Sequence, residues 1–419
     1  MAHAAETESR ERPAQGGITT FRSLRHRNYR LLWIGSLFSS SGLWLQQVTL
    51  NWLTFSLTGS SFAVGMTNGA RSIPLLLLGP IGGVMADRYD KKRLMLFTQL
   101  FQMVVTFLFA IVIVAGWVQI WHILVFSLVS GMAWALNMPV RQSTVPQMVP
   151  REDLMNAMAL NSAGFNITRI IGPAIAGLMI STMGPGENFF IQSAAYLGVT
   201  VTVLQLTMPR TRSVMRDASV MANLKEGASY VWHHGTLRTQ MALALVPVVV
   251  ALPYISVLPD FNATILDGDE VTFGLMMGAP GLGAVVATLV LASLENVDRK
   301  GLLLLAAVFL LGISLILLST SRSIWMALPL LTIVGATQMV YMTTNQTVVQ
   351  LSTPEAYRGR VMGIYMLNQG MLPLGSLFAG GLADVFDASI ALAIMGALVA
   401  LLAVTFYARA GTIRNLVVT

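Results

Sequence analysis

GGVMADRYDKKR, Gly82 to Arg93, ends one apolar run, sets two acids and four bases in close order, and leads straight into another apolar run. A chain that crosses a bilayer turns at the water interface in this way. Each crossing helix needs about 20 apolar residues to span about 30 Å of hydrocarbon, and the charge collects where it emerges. The rest of the chain repeats the pattern. Of 419 residues, 55% are hydrophobic and 11% charged, where a soluble domain carries about a quarter, and the mean hydropathy is +0.68. The apolar runs lack the alternation of barrel strands, so a helical bundle is expected. No cysteine is present, which excludes disulfides, thiolate metal sites and a cysteine nucleophile. The net charge of +7 lies in short loops between apolar runs, a pattern of membrane topology rather than of nucleic-acid binding.

Outward from the opening stretch, candidate spans fall near 29–56, 62–86, 92–115, 118–138, 153–183, 187–207, 238–259, 271–294, 300–319, 322–346, 357–383 and 387–408. The expected fold is therefore an all-α membrane protein of twelve transmembrane helices. With a cytoplasmic N-terminus, all but three of the 26 Lys and Arg fall on the cytoplasmic side. The exceptions are Arg322, in an external loop, and Arg71 and Arg169, inside spans two and five. Both termini are then cytoplasmic, and the chain is a multi-pass protein of the cytoplasmic (inner) membrane. Residues 1–20 are polar and read as a disordered cytoplasmic tail, not a cleaved signal peptide.

The longest internal loop splits the spans six and six, giving an N-terminal half over 21–207, a cytoplasmic linker over 208–237 and a C-terminal half over 238–419. Within the linker, Val220, Met221, Leu224, Ala228, Val231 and Trp232 recur at helical spacing, so an amphipathic helix is expected there. The halves repeat weakly but collinearly: GMTNGA from Gly65 matches GLMMGA from Gly274, and DKKR from Asp90 matches DRKG from Asp298. Two parallel six-helix repeats suit a transporter with its substrate path between them.

The opening stretch resembles the loop 2–3 signature of the major facilitator superfamily, a glycine followed by D-R-x-x-[KR]-[KR]-R. The segment from Phe21 to Gly65 and RIIGPAIAG (Arg169 to Gly177) are similar to the branch that holds enterobactin-type exporters and macrolide efflux pumps. The resemblance implies two pseudo-symmetric six-helix halves and a gating motif at Gly83, Asp87, Arg88, Lys91 and Arg93. It further implies that Asp87 latches the halves in the outward-open state. RIIGPAIAG looks like the G-P-x-x-x-G motif of proton-coupled exporters. Physically, Gly172 and Gly177 give a flat packing face, and Pro173 frees a carbonyl so that span five can kink. Two departures count against proton antiport: Ser127 stands where relatives carry an arginine in span four, and Gly42, Leu43 and Trp44 stand where they often carry an acid.

A transporter makes no covalent change, so the informative residues are polar groups inside spans. No carboxylate is expected near mid-span. Asp260, Asp384 and Asp87 at span ends are the proton-coupling candidates. Arg71 and Arg169 lie deep, where a charge costs at least about 2.5–3.5 kcal/mol. Each either bonds neighbouring polar groups or lines a cavity for anionic substrates. Further cavity candidates are Trp44, Gln47 and Asn51 in span one, Trp134 and Asn137 in span four, Tyr254 in span seven, and Gln338, Tyr341 and Asn345 in span ten. Any one of these could equally make an interhelical hydrogen bond. Aromatic walls with amides suit a large amphipathic ligand.

No Walker A string, no catalytic cluster and no histidine with metal-ligand spacing is present, so no enzyme activity, cofactor, metal or nucleic-acid partner is expected. The reading is an exporter of drug-like or siderophore-like molecules working by alternating access, with proton antiport as the candidate drive. The chain's partners are then a small molecule, the lipid bilayer and protons, and the monomer is the expected state. The alternatives are an anion or lipid-type carrier that uses Arg71 and Arg169, or a non-transporting membrane sensor.

Overall fold

The structure, a computed structural model, describes residues 19–208, 220–293 and 299–409, without the side chains at 80, 81, 83, 84, 86–88, 220–223 and 369. Residues 1–18 of the tail read over 1–20, most of the stretch before the linker helix, and Asp298 lie outside these residues. So do the side chains of Asp87 and Arg88 and the surroundings of Gly83.

Among the described residues the chain is helical, with no strand. A short 3-10 segment, Thr19–Arg25, leads into α1 (Arg27–Thr58), α2 (Ser61–Arg88), α3 (Lys91–Val114), α4 (Ile120–Thr144), α5 (Leu154–Met183) and α6 (Pro185–Gln205). The linker helix α7 (Val220–His233) follows. α8 (Gly235–Val246) continues through a π turn at Pro247–Ala251, a 3-10 turn at Leu252–Ser256, the single turn α9 (Leu258–Asp260) and a last π turn at Phe261–Ile265. Then come α10 (Glu270–Ser293), α11 (Lys300–Ser319), α12 (Ile324–Leu351), α13 (Glu355–Gln369), α14 (Leu372–Phe386) and α15 (Ala388–Arg409). Eight rods are long and apolar enough to cross a membrane: α3, α4, α5, the composite from Gly235 to Ile265, α10, α11, α12 and α15. The helices α1, α2, α6 and the α13–α14 pair lie among them, diluted by polar residues or broken.

Prolines account for the departures from the expected spans. Span eleven is not one helix: it breaks at Gly370 and Met371, and Pro373, which has no N–H to continue the ladder, sits in the first turn of α14. Span seven is longer than expected, and Pro247, Pro253 and Pro259 turn its middle into π and 3-10 geometry. By contrast, α5 runs unbroken through Pro173.

Helices before residue 208 pack among themselves, α1 on α5 and α6, α2 on α4, and α3 on α4 and α6. Those after 235 do likewise, α10 on α12, and α11 on α12 and α15. Two seams, α2 on α14 and α5 on α10, join these groups. Small residues make both seams tight, as expected where helices associate by close contact rather than by hydrophobic exclusion. A Cβ placed on Gly65 would collide with the Ser376 carbonyl, and one on Gly274 would lie 2.5 Å from the Pro173 carbonyl oxygen and 3.0 Å from the Gly177 Cα.

The connections at 59–60, 184, 266–269, 320–323 and 387 define one end of the bundle, here the loop end. The described chain termini and the linker helix define the other, the terminal end. The seam glycines gather toward the loop end, from Gly380 against Ser61 and from Gly177 against Glu270. Toward the terminal end an apolar cavity of about 420 Å3 separates α2 and α4 from α13, with Leu224 of α7 at its rim. The linker helix is pinned to α13 by the Arg360–Glu226 ion pair (2.9 Å) and by Tyr230 stacked on Tyr357 (4.2 Å between centroids). Of its expected apolar face, Val231 is buried, whereas Trp232 is 68% exposed and meets Arg238 (5.7 Å).

Candidate functional site

The face of α1 carries the polar centre of the bundle. Gln47 donates to Asn68 Oδ1 (2.7 Å) and, more weakly, to Asn51 Oδ1 (3.3 Å), and its own Oε1 accepts from Arg71. Asn68 in turn donates to Ser256 Oγ (3.0 Å), so the chain from Arg71 through Gln47 and Asn68 to Ser256 crosses from the first helix group to the second. One helical turn from Gln47, Trp44 packs on Phe165 (6.1 Å) and receives the Arg169 guanidinium at 6.0 Å from its ring centroid, a cation–π distance. Its Nε1 has no hydrogen-bond partner among the described residues. Arg169 is within electrostatic reach of Tyr254, and Gly172 fits directly beneath Trp44, where a Cβ would be 3.0 Å from the Trp44 Cβ. Trp44, Gln47, Asn51, Arg71, Arg169 and Tyr254 thus come together around α1. Neither arginine makes an ion pair among the described residues.

The remaining cavity candidates lie elsewhere. Asn137 is buried and donates to Thr98 Oγ1 on α3 (2.7 Å). Trp134 borders a polar cavity inside the first group. Tyr341 donates to the Ala244 carbonyl (2.8 Å) and Gln338 turns to Met342 on its own helix. Asn345 is fully buried.

Two carboxylates converge on the start of α2 at the loop end. Asp384, from α14, accepts from Ser60 Oγ (2.5 Å) and from the Ser61 and Phe62 amides (2.7 and 3.3 Å). It caps from across the seam the N–H groups that a helix start leaves unpaired, where a negative charge is favoured. Asp260 accepts from Ser61 Oγ (3.0 Å) and Thr264 Oγ1 (3.0 Å). Nearby, Asp269 caps α10, and the Thr272 backbone N–H holds its carboxyl below the usual carboxylate range.

At the terminal end the opening stretch does local work. Asp90 caps α3 through the Arg93 amide (2.9 Å). Lys91 reaches the Ser143 carbonyl in the last turn of α4 (3.3 Å), and Lys92 takes the Leu204 and Leu206 carbonyls that end α6 (2.8 and 2.7 Å). A lysine at a helix C-terminus meets both the unpaired carbonyls and the negative end of the dipole.

Sequence reasoning missed Asn68, the link between Gln47 and Ser256. It also missed Arg141, read there as a loop residue, which lies in α4 and donates through Nε to Ser36 Oγ (3.2 Å). A further omission was the group Gln46, Gln99, Gln102 and Tyr196. A polar side chain inside an apolar run was the available signal, but it does not say which neighbour it meets.

This architecture, helix groups joined by glycine seams around a polar centre, defines the class of major facilitator transporters. It resembles the solved nucleoside transporter NupG (TM-score 0.71, 14% identity, covering 91% of this chain and 98% of that one). It also resembles a bacterial homolog of the human lysosomal transporter Spinster in an inward-facing, unoccupied conformation (TM-score 0.70, 15% identity, 95% and 98%). Residues 18–416 match the family described as transmembrane secretion effector, and the chain belongs to that family. Relatives include the staphyloferrin A transporter of Staphylococcus aureus, 29% identical over 88% of this chain and 94% of that one. The multidrug efflux pump Tap of Mycolicibacterium fortuitum is 27% identical over 84% and 88%, and macrolide efflux protein A of Streptococcus pyogenes 21% over 86% and 91%. The family is one of multi-pass membrane transporters of small molecules, not of enzymes.

Proposed function

We propose that this protein exports amphipathic small molecules, drug-like or siderophore-like, by alternating access between two six-helix halves of twelve spans. The observation that carries the reading is the asymmetry of the seams: glycine contacts and the Asp384 cap close the loop end, and a cavity of about 420 Å3 lies toward the terminal end. The excess of Lys and Arg at the terminal end supports a cytoplasmic side for that end in the inner membrane, where the protein works as a monomer in this reading. The structure then corresponds to the state that loads from inside. The relatives that move staphyloferrin A, macrolides and multiple drugs support this substrate class.

Two aspartates stand at opposite ends of the α2–α14 seam, each four residues after a glycine: Gly83 and Asp87 close α2, Gly380 and Asp384 close α14. In this reading Asp384 bolts the outer side when the cavity faces inward, and Asp87, with Arg88, Lys91 and Arg93, bolts the inner side when it faces outward. Proton antiport supplies the drive, with Asp260 and Asp384 as the groups that exchange protons with the outside. A second reading, transport of an anion or anionic lipid, is favoured by Arg169, whose charge lies at the seam beside Trp44 without an acid.

Proteoliposomes of the purified protein, screened with dyes, macrolides and catecholate siderophores under a pH gradient, test both readings. Ligand-dependent proton flux supports antiport. Ligand movement without proton flux supports the anion carrier, and no movement of any ligand overturns the export reading.

A further inference from the structure

Wholly inside the first helix group, between α1, α2, α3, α4 and α6, lies a cavity of about 30 Å3, room for about two water-sized spheres. Its wall includes Arg71, Gln46, Gln99, Gln102, Ser130 and Tyr196. The three glutamines are 2%, 5% and 6% exposed, and each leaves one amide atom without a partner: Gln46 Nε2, Gln99 Oε1 and Gln102 Oε1. A buried amide atom without a partner costs about 1–3 kcal/mol, so three around one hollow point to occupants of both kinds: Gln46 Nε2 is a donor and suits an anion, whereas the Gln99 and Gln102 oxygens are acceptors and suit a water beside it. Arg71 supplies the sign of that occupant. Its guanidinium carries five N–H donors; the bond to Gln47 accounts for part of them, and no carboxylate among the described residues pairs with it. A positive charge at this depth demands a counter-charge or a polar ligand.

We propose that this cavity binds one small monovalent anion of halide size, held by Arg71 and the Gln46 amide, with the Tyr196 and Ser130 hydroxyls as further donors. The volume decides against a transported molecule, because a drug-sized ligand needs about 300 Å3 or more. Position decides the same way, because among the described residues every one that lines the cavity belongs to the first group. The anion is a resident of the first half. It neutralises Arg71 and ties α2 to α1, α4 and α6. The site stands whatever the exported molecule proves to be.

The test is thermal unfolding of the full chain in nanodiscs at constant ionic strength, with gluconate replaced stepwise by chloride, bromide, acetate or sulfate. Chloride and bromide should raise the midpoint saturably, by about 2–4 °C, while acetate and sulfate should not. Arg71→Gln should abolish the rise, and Arg322→Gln, at the loop end, should keep it. If Arg71→Gln does not fold, Gln46→Leu serves instead and should move saturation to higher chloride. Bromide-soaked crystals should show one anomalous peak within hydrogen-bond distance of Arg71. A midpoint that ignores chloride, a rise that survives Arg71→Gln or is unmoved by Gln46→Leu, or a cavity that holds only water would overturn the proposal. Stabilisation by acetate equal to that by chloride would overturn its size limit and assign the site to a carboxylate.

Discussion

The α2–α14 seam differs from one end to the other. At the loop end, backbone meets backbone across Gly65 and Gly380, and a carboxylate of one group caps a helix of the other. At the terminal end the same two helix lines are served by contacts within each group, Lys91 and Lys92 on α4 and α6, and α7 on α13, with an apolar cavity between them. One end is closed by bonds between the groups, whereas the contacts at the other, among the described residues, lie within each group. Under the proposed alternating access, the difference teaches where energy would be spent to change state. Opening the loop end breaks few but specific hydrogen bonds, and closing the terminal end must bury the cavity wall.

The absence of cysteine makes this contrast testable by engineered crosslinks. The largest effect is expected from the pair Gly69→Cys and Pro373→Cys. A Cβ on Gly69 lies 3.5 Å from the Pro373 Cβ, within the span of a disulfide. Oxidation should lock the loop end, abolish vesicle transport and leave it recoverable by reductant; transport that persists with the crosslink complete would refute alternating access through this seam. Next, Gly274→Leu forces a side chain into the Pro173 carbonyl. Overpacking of this kind costs about 1–3 kcal/mol, so, combined with Gly69→Cys alone as the reporter, it should raise the rate of loop-end labelling by a thiol reagent about tenfold or more, and an unchanged rate would show that the α5–α10 seam gives way freely.

Asp384→Asn should act in the same direction but less strongly. It removes a charged cap, a loss of about 1–2 kcal/mol, and should lower the yield of the Gly69–Pro373 crosslink. If the yield is unchanged, the glycine contacts alone hold the seam. At the terminal end, Lys92→Ala removes a partner of the α6 carbonyls, a cost of about 0.3–1 kcal/mol, and should lower the unfolding midpoint by a few degrees at most without changing loop-end accessibility. Smallest of all, Glu226→Ala breaks a pair exposed to solvent on both sides. Its stability should stay within about 1 kcal/mol of wild type, and a larger loss would mean that α7 supports the second group more than its ion pair suggests.

Much of the fold was legible in the chain. Apolar runs of span length predicted the helices, and the family expected from the opening stretch is the one that residues 18–416 match. The break at Gly370 and Met371 escaped the reading because hydropathy carries straight through it, and Pro373 acts through a missing N–H rather than through polarity. The site was legible in part. Trp44, Gln47 and Asn51 lie on one face at helical spacing, and they do gather with Arg71, Arg169 and Tyr254. Tyr341 and Asn137 looked equivalent in sequence, yet each is spent on a bond inside its own group.

What the sequence determined by itself is everything that depends on transfer from water to hydrocarbon: which segments are apolar helices, where the bases collect, and which family the chain joins. Those terms add residue by residue along the chain. The tertiary structure alone decided the pairings: Asp384 with the start of α2, Gln47 between Arg71 and Asn68, and three glutamines around one small cavity. A hydrogen bond depends on a distance of about 3 Å between residues as far apart as Ser61 and Asp384, and no local pattern encodes that distance.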